Sequence, residues 1–297
     1  MEEKSFFSKI SNPHEVITAI SEAGRTFPEF MQQRVGDYKE DIKLFSELTL
    51  GCESSAELLE KIRIPKVYSK KTQMTLLKLF RRCVSPVCDT EATKKIQANP
   101  TSLFINNYGY TFKPISDLKR QFSTLSETDY SVLSALLGEY DKRGEQGYIL
   151  TDIFFNWVEE NLGGKVVIEG PRGAGKDIQL SDVFKDFTHD YPCDFIIKDR
   201  STKEVKAVGF ARYDSTRGGA QSDDRTGGNS DKVSKAASFC LQSGNQFKVI
   251  FLADGPGLAH GDTWAEACNL DNQWNGNVRV TTLKTAVERL TLDWLYS

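Results

Sequence analysis

Long hydrophobic segments are missing from this sequence of 297 residues. A membrane-spanning helix needs about 20 consecutive apolar residues, and no segment approaches that length. The acidic start MEEKSFF also lacks the basic and then apolar pattern of a signal peptide. With 39% hydrophobic residues, the chain still has enough apolar side chains for a buried core. We therefore expect a globular cytoplasmic protein that does not contact a membrane.

Cysteine and histidine are sparse and scattered, which leaves few ways to build a zinc site or a catalytic triad. The closest cysteines are Cys83 and Cys88, and no second pair or histidine cluster completes a zinc-binding pattern. His14, His189 and His260 share no spacing with one another or with a candidate nucleophile. The sequence therefore favours neither zinc chemistry nor serine-type hydrolysis.

A strong excess of one charge is missing too, since the net charge is -3 with 38 Lys and Arg residues. This balance argues against a wholly basic nucleic-acid-binding protein, but it leaves room for a local basic surface. Composition alone does not identify the partner.

The N-terminal half has the apolar spacing of helices and no cluster of catalytic residue types. Helical spacing recurs in residues 57–62, 75–83 and 129–140. The turn-forming segment 141–147, DKRGEQG, then interrupts it. We predict a mostly helical domain over residues 1–145, a candidate DNA-recognition or dimerisation region, and a second domain over residues 146–297.

The C-terminal half alternates between patterns typical of helices and of strands. The segments, in order, are a helix at 148–162, strands at 165–170, 193–199 and 205–213, a helix at 231–242 and a strand at 247–254. The polar turn at 200–204 joins two of the strands as a hairpin. This α-β-β-β-α-β order predicts an α/β fold in which helices flank a mixed sheet.

The glycine-rich segment GPRGAGKD, residues 170–177, follows the pattern of a Walker phosphate-binding loop as far as Lys176. A Walker loop needs a helix directly after it, and Ser or Thr after the Lys to hold magnesium. Asp177 stands there instead, and Ile178 continues more naturally as a strand. We therefore predict a turn between two strands, with no nucleotide cofactor, in which Arg172 and Lys176 are exposed to contact a DNA backbone.

The predicted hairpin has the layout of a metal-dependent nuclease site. Such chemistry needs carboxylates that hold Mg²⁺ beside the scissile phosphate, and usually a Lys that orients or activates water. One Asp opens the first strand, and an acid and a Lys two residues apart share one face of the second. The segment from Pro192 to Tyr213, in which Asp194 opens the first strand, has this layout.

On these segments the C-terminal half resembles the type II restriction endonucleases of the PD-(D/E)xK nuclease superfamily, and the GATC-cutting group above all. The similar segments are Asp194-FIIK198, the aromatic Tyr213, the polar loop 215–229 and the apolar strand that ends at Asp254-Gly255. The resemblance implies Mg²⁺-dependent, sequence-specific hydrolysis of double-stranded DNA by a homodimer, with Asp194 as a catalytic metal ligand.

The second strand departs from that family pattern. If the hairpin turns near Thr202 and Lys203, Asp194 lies opposite about Ala211, and the acid and the Lys should fall near Gly209 and Ala211. Neither residue coordinates a metal. A literal Glu204-Val-Lys206 is present, but it lies at the turn, roughly 15–20 Å along the strand from that position.

Two interpretations follow. In the one that we favour, Gly209 and Ala211 are small because a carboxylate from elsewhere enters the space beside Asp194, and Arg212 replaces the Lys, provided that a bulge at Gly209 turns it to that face. The candidate donors of the carboxylate are Glu159, Glu160, Asp214, Asp223 and Asp224. In the alternative, the chain has lost the ligand and binds DNA without cutting it. A P-loop nucleotide binder is a third hypothesis.

The loop predicted at 215–229 is long, polar and rich in glycine. It contains Arg217, Gln221 and Arg225, whose side-chain types hydrogen-bond guanine and adenine edges in the major groove. Since the loop follows the predicted metal site directly, we expect it to face the duplex and to contact DNA.

Overall fold

The computed structural model describes residues 5–21, 26–139, 145–216 and 221–297, except the side chains of 221–227. The chain divides into two units, one formed by residues 25–142 and the other by residues 1–24 together with 143–297. Among the described residues, no helix is long and apolar enough to cross a membrane.

The unit of residues 25–142 is helical, as the spacing predicts. Its helices are α1 Glu29–Leu50, α2 Ser55–Ile62, α3 Lys70–Cys83, α4 Thr90–Lys94, α5 Thr101–Tyr108, α6 Ile115–Phe122 and α7 Glu127–Gly138. Ser54, Ser69, Asp89 and Ser126 cap four of these helices by accepting a backbone N–H of the first turn. Apolar side chains from α1, α2, α3, α6 and α7 form a separate core in this unit.

The other unit is built around a mixed sheet, which confirms the predicted α/β class. Its strands are β1 Val166–Glu169, β2 Ile178–Gln179, β3 Pro192–Cys193, β4 Phe195–Asp199, β5 Val205–Tyr213, β6 Lys248–Asp254 and β7 Val278–Thr281. Within the described residues, five strands pair in the order β1-β4-β5-β6-β7, and β2 pairs with β3 separately. The pairs β1-β4 and β4-β5 are antiparallel, whereas β5-β6 and β6-β7 are parallel.

Helices cover both faces of this sheet. They are α8 Glu145–Asn161, α9 Leu180–Val183, α10 Gln221–Ser243, α11 Gly261–Leu270, α12 Gln273–Gly276, α13 Ala286–Arg289 and α14 Leu292–Tyr296. Because strand side chains alternate between faces, Phe195 and Ile197 pack with α8 in one core, while Ile196 and Val208 pack with α10 and α11 in another. We call these the α8 face and the α10 face.

Residues 5–21 belong to the sheet unit, so the predicted division at residue 145 assigns them to the wrong half. Phe7 is fully buried in the core of the α10 face and contacts the Trp264 ring. The backbone N–H of Thr18 donates to Asp254 at the end of β6, at 2.7 Å. The segment packs against the sheet because its apolar side chains, such as Phe7 and Ile17, complete that core. These contacts join residues far apart in the sequence, so local spacing does not reveal them.

Candidate active site

The hairpin of β4 and β5 forms as predicted, but its register differs by one residue. Phe195 pairs with Gly209, so the next position places Phe210, not Ala211, opposite Asp194. The reason is local. The hairpin turn is closed by a hydrogen bond from the Asp199 N–H to the Glu204 carbonyl, so the turn is centred before Thr202 and Lys203, where the sequence suggests it. A register shift between Ile197 and Lys198 then changes the strand pairing in the opposite direction. The apolar residues Val208 and Phe210 thus occupy the positions where the family pattern has the acid and the Lys.

The small size of Gly209 has a different cause from the one predicted. A Cβ atom added at Gly209 would lie 2.0 Å from the Phe195 ring, which packs on the α8 face. Ala211 also packs against the core of that face. No space for a migrated carboxylate exists at Gly209, because the aromatic ring fills it.

The literal Glu204-Val-Lys206 lies at the hairpin turn. Lys206 Nζ pairs with Glu204 Oε2 at 3.0 Å and stacks over the Tyr296 ring, whose centroid is 5.0 Å away. Neither Glu204 nor Lys206 is among the residues that line the cleft beside Asp194.

Asp194 lies at the edge of a cleft of about 400 Å³ on the α10 face. The walls come from β5, β6, α10 and α11. Its apolar lining is Phe210, Ala211, Phe251, Leu252, Ala253, Leu258, Ala267, Leu270 and Val280. Its polar lining is Asp194, Arg212, Asp214, Asn229, Lys232, Thr263 and Glu266. The cleft therefore combines an apolar floor with charged groups at the strand ends, as ligand sites commonly do.

The Asp194 carboxylate is mostly buried and only lightly hydrogen-bonded. Its Oδ2 accepts the backbone N–H of Ala211 at 2.8 Å. Burial raises the pKa of Asp194, the Ala211 N–H lowers it, the charge of Asp177 raises it and the charge of Lys232 lowers it. Asp194 thus lies within electrostatic reach of a second carboxylate and of an ammonium group.

The second carboxylate, Asp177, is the residue that breaks the Walker pattern. It precedes β2, and the pairing of Ile178 with Cys193 holds it beside the start of β4. Asp177 is exposed, and among the described residues its carboxylate has no hydrogen-bond or ion-pair partner. In the sequence pattern, Asp177 indicates only that the glycine-rich segment does not bind a nucleotide. The position contributes a carboxylate to the site through the pairing of two very short strands.

Lys232 on α10 supplies the ammonium group. Its Nζ lies 3.8 Å from the centroid of the Phe210 ring. Burial lowers the pKa of Lys232, and the charges of Asp194, Cys193 and Asp177 raise it. Within the described parts of the chain, its Nζ has no hydrogen-bond or ion-pair partner, which is uncommon for a half-buried lysine. In the sequence, the one signal for Lys232 is its position beside Val233, an apolar residue expected to face the core, on the helix predicted at 231–242.

Two of the predicted site residues, Arg212 and Asp214, line the cleft. Because of the observed pairing of β4 with β5, Arg212 lies on the same face of the sheet as Asp194. The bulge at Gly209 that was predicted for this purpose is not needed. Its Nε donates to Asp214 Oδ1 at 2.7 Å. Burial raises the pKa of Asp214 and the guanidinium lowers it. The Asp214 charge is therefore already compensated, which makes it a weaker candidate for the second acid than Asp177.

Glu159 and Arg172 lie together, away from the cleft lining. The Arg172 guanidinium donates to Asp152 at 2.7 Å, to Asn156 at 2.6 Å and to Glu159 at 2.6 Å, all on α8. The structure does not bring Glu159 to the metal position predicted for it. Glu160, on the same helix, is exposed and does not line the cleft either.

The segment GPRGAGKD is a turn between strands, as predicted. It joins β1 to the two-residue β2, and α9 begins only at Leu180. A Walker loop requires its helix directly after the glycines, and residues 170–183 do not have that arrangement. Lys176 is exposed, as expected for a residue that contacts a phosphate backbone.

The predicted loop 215–229 is largely helix, because α10 begins at Gln221. A helix extends at low cost once a first turn has formed, so a long packed helix incorporates the Gly227-Gly228 pair. Arg217 lies outside the described residues. The side chains of Gln221, Asp223, Asp224 and Arg225 also lie outside the description.

In the described residues, no group of three or more His, Cys, Asp or Glu side chains is close enough to hold a metal ion. Comparisons of the chain with protein-family models, with curated proteins and with solved structures give no match.

Proposed function

We propose that this protein is a Mg²⁺-dependent endonuclease that hydrolyses phosphodiester bonds of double-stranded DNA at specific sites. The observation that carries the proposal is the convergence of three charged residues at the start of β4: the pairing of Ile178 with Cys193 brings Asp177 beside Asp194, and Lys232 lines the same cleft as Asp194. They come from three separate elements. Two carboxylates beside an unpaired ammonium group form the set of charges that such hydrolysis needs.

The carboxylates suit magnesium by their chemistry. Mg²⁺ prefers oxygen ligands, and it is usually held by one or two carboxylates while it keeps several waters. Asp194 has one oxygen engaged by the Ala211 N–H, and its other oxygen, with the exposed Asp177, would hold the ion. When bound, the metal supplies positive charge beside the scissile phosphate.

Lys232 acts on the phosphate from the side of α10. Its ammonium group neutralises charge that develops on a phosphate oxygen, and it orients the attacking water beside Asp194. The position above the Phe210 ring holds the ammonium inside the cleft. We further propose that the protein acts as a homodimer, since each sheet unit provides one such cleft and a duplex has two strands to cut.

A second function, DNA binding without cleavage, is favoured by one observation. Val208 and Phe210, which are both apolar, occupy the positions where a nuclease of the resembled family has its acid and its Lys. In that case Asp177 does not replace the missing acid, and the protein binds DNA in the presence and absence of metal alike.

Plasmid cleavage with and without Mg²⁺ separates these functions. We expect metal-dependent nicking or cutting by the native chain, and a loss of at least about a hundredfold in Asp194→Asn and Asp177→Asn, with DNA affinity largely retained. Asp186→Asn is the matched control, because Asp186 is exposed and follows α9 on the same connection. Tight binding of DNA by the native chain without any cleavage would reject the nuclease and support the second function.

A further inference from the structure

The basic residues of the helical unit, residues 25–142, are concentrated in one segment of the chain. Residues 61–95 contain ten Lys and Arg residues and two Asp and Glu residues, a local charge of +8 in a chain whose net charge is -3. One of the ten, Arg63, is buried and stabilises the fold by donating to the Thr93 carbonyl at 2.8 Å. Five of the others lie on α3, which has no acidic residue of its own.

The cations of α3 share one face of the helix. An α-helix turns by about 100° per residue, which places all five within an arc of about 120°: Lys70, Lys71, Lys78, Arg81 and Arg82. The opposite face carries Leu76, Leu79 and Phe80, which are buried in the core of this unit. From Lys70 to Arg82 the cations extend for about 18 Å along the helix axis. We call this linear basic face the α3 surface.

Lys70 and Lys71 occupy the first turn of α3, where a positive charge is unfavourable. The helix dipole places partial positive charge at the N-terminus, so acidic residues stabilise a first turn and basic residues destabilise it. Both lysines are exposed, and neither has an acidic partner anywhere in the described part of the chain. The helix therefore gains no electrostatic stability from these two charges, which indicates that they serve a ligand.

The other end of the α3 surface is only weakly neutralised. Arg81 lies 3.8 Å from Asp89 and Arg82 lies 3.4 Å from Glu139, and all four side chains are exposed. Ion pairs between exposed side chains contribute little to stability. An anionic ligand can therefore replace the acids at low cost.

The spacing of these charges suits a DNA backbone. Each strand of a duplex carries one phosphate per 3.4 Å of its axis, so about 18 Å spans about five phosphates. Protein interfaces are depleted of charged residues at their centre, and a helix that lies on a membrane inserts an apolar face beside its cations. The apolar face of α3 is buried in the core and is not available for insertion.

We propose that the α3 surface binds the phosphate backbone of DNA, with Lys70 and Lys71 as its main contacts. The proposal rests on the proposed function, which takes double-stranded DNA as the substrate. Contacts to phosphates carry no sequence information directly. The α3 surface thus supplies affinity that is independent of sequence, whereas the cleft on the α10 face supplies the chemistry.

Binding of a labelled duplex by the full chain, measured by fluorescence anisotropy without Mg²⁺ over a salt series, tests the α3 surface. In the double variant Lys70→Gln, Lys71→Gln, we expect the slope of log K against log salt concentration to fall by about 2, and the affinity at low salt to fall at least about tenfold. The melting temperature should stay the same or rise, because an unfavourable charge leaves the first turn. An unchanged slope would overturn the proposal.

The double variant Lys39→Gln, Lys43→Gln is the matched control. It removes the same charge from the helical unit, but on α1, where the two lysines pair with Glu127 and Glu40. We expect it to bind DNA with the native slope. An equal loss in both double variants would show an effect of net charge alone and would reject the α3 surface.

Plasmid cleavage with Mg²⁺ separates this proposal from the nuclease function. If Lys70 and Lys71 carry DNA binding and the native chain leaves plasmid intact, the α3 surface stands and the nuclease function fails. If the native chain cuts plasmid and the Lys70 and Lys71 variant keeps the native slope, the α3 surface is rejected and the nuclease stands. Tighter binding to phosphatidylserine vesicles than to the duplex would assign the surface to a membrane and overturn the proposal.

Discussion

The α8 face and the α10 face belong to the same five strands, yet their charged side chains have different surroundings. On the α8 face, the guanidinium of Arg172 has hydrogen bonds to Asp152, Asn156 and Glu159. On the α10 face, the ammonium of Lys232 has no such partner among the described residues. A cation whose hydrogen bonds are satisfied within the protein gains little from a ligand, while an unpaired, half-buried cation gains much. This difference is why we place the site on the α10 face.

The same contrast holds for two carboxylates at strand ends. Asp254, fully buried at the end of β6, accepts backbone N–H groups from Thr18, Leu283 and Gly255 at 2.7–2.9 Å. In the part of the chain that the structure describes, Asp194 accepts one such N–H, from Ala211. Asp254 therefore joins three chain segments and acts structurally, whereas Asp194 keeps capacity for a ligand.

The sharpest test of the charge contrast is Lys232→Met. If its ammonium acts on the phosphate, cleavage of plasmid should fall by about 10²–10³-fold, while the free energy of unfolding changes little. Lys235→Met on the same helix, whose Nζ pairs with Asp231 at 2.7 Å, should cut normally. Native activity in Lys232→Met would remove this residue from the mechanism.

The packing of the α8 face is tested by Gly209→Ala. Because the added methyl group would meet the Phe195 ring at 2.0 Å, we expect a loss of about 3 kcal/mol in the free energy of unfolding, measured in urea. The double variant with Phe195→Leu should recover part of that loss. Unchanged stability would mean that the ring does not fill this space, and the migrated-acid hypothesis would return.

Asp254→Asn tests the structural carboxylate. An amide cannot accept all three N–H groups, so the free energy of unfolding should fall by about 1–3 kcal/mol, with cleavage retained by the folded fraction. Burial raises the pKa of Asp254, so the folded protein holds the proton more tightly than the unfolded chain. Its ionisation therefore lowers stability as pH rises from about 4 through the folded pKa. The free energy of unfolding of Asp254→Asn, measured as a function of pH, should lack this decline.

The smallest expected effects come from the two cations of GPRGAGKD. Lys176→Ala should lower the slope of log K for DNA binding against log salt concentration by about 1. Lys176 is exposed and has no acidic partner among the described residues, so it releases a counterion on binding. Arg172→Ala should hardly change DNA affinity, since Asp152 and Glu159 already balance its charge, and stability should change by less than about 1 kcal/mol. Fluorescence anisotropy over a salt series measures both, and equal slopes for the two variants would contradict the contrast.

Local patterns predicted much of the fold. Runs of β-forming and apolar residues identified β4, β5 and β6, helical spacing identified α2, α3, α7 and α8, and Ile178 correctly indicated a strand directly after the glycine turn. These features depend on residues close in the chain, where side-chain periodicity and turn chemistry act directly. Asp194 at the opening of the hairpin belongs to the same class of prediction.

The tertiary structure alone decided which charges meet Asp194. Asp177 reaches it through the pairing of β2 with β3, and Lys232 through the packing of α10 on the sheet. Each of these contacts depends on chain segments far apart in sequence, whose approach is set by burial of the shared core and not by local spacing. For the same reason, local spacing pointed to five other acids as donors and not to Asp177. The face of Arg212 was also decided by the tertiary structure, since a one-residue change of register moves every side chain of a strand to the opposite face.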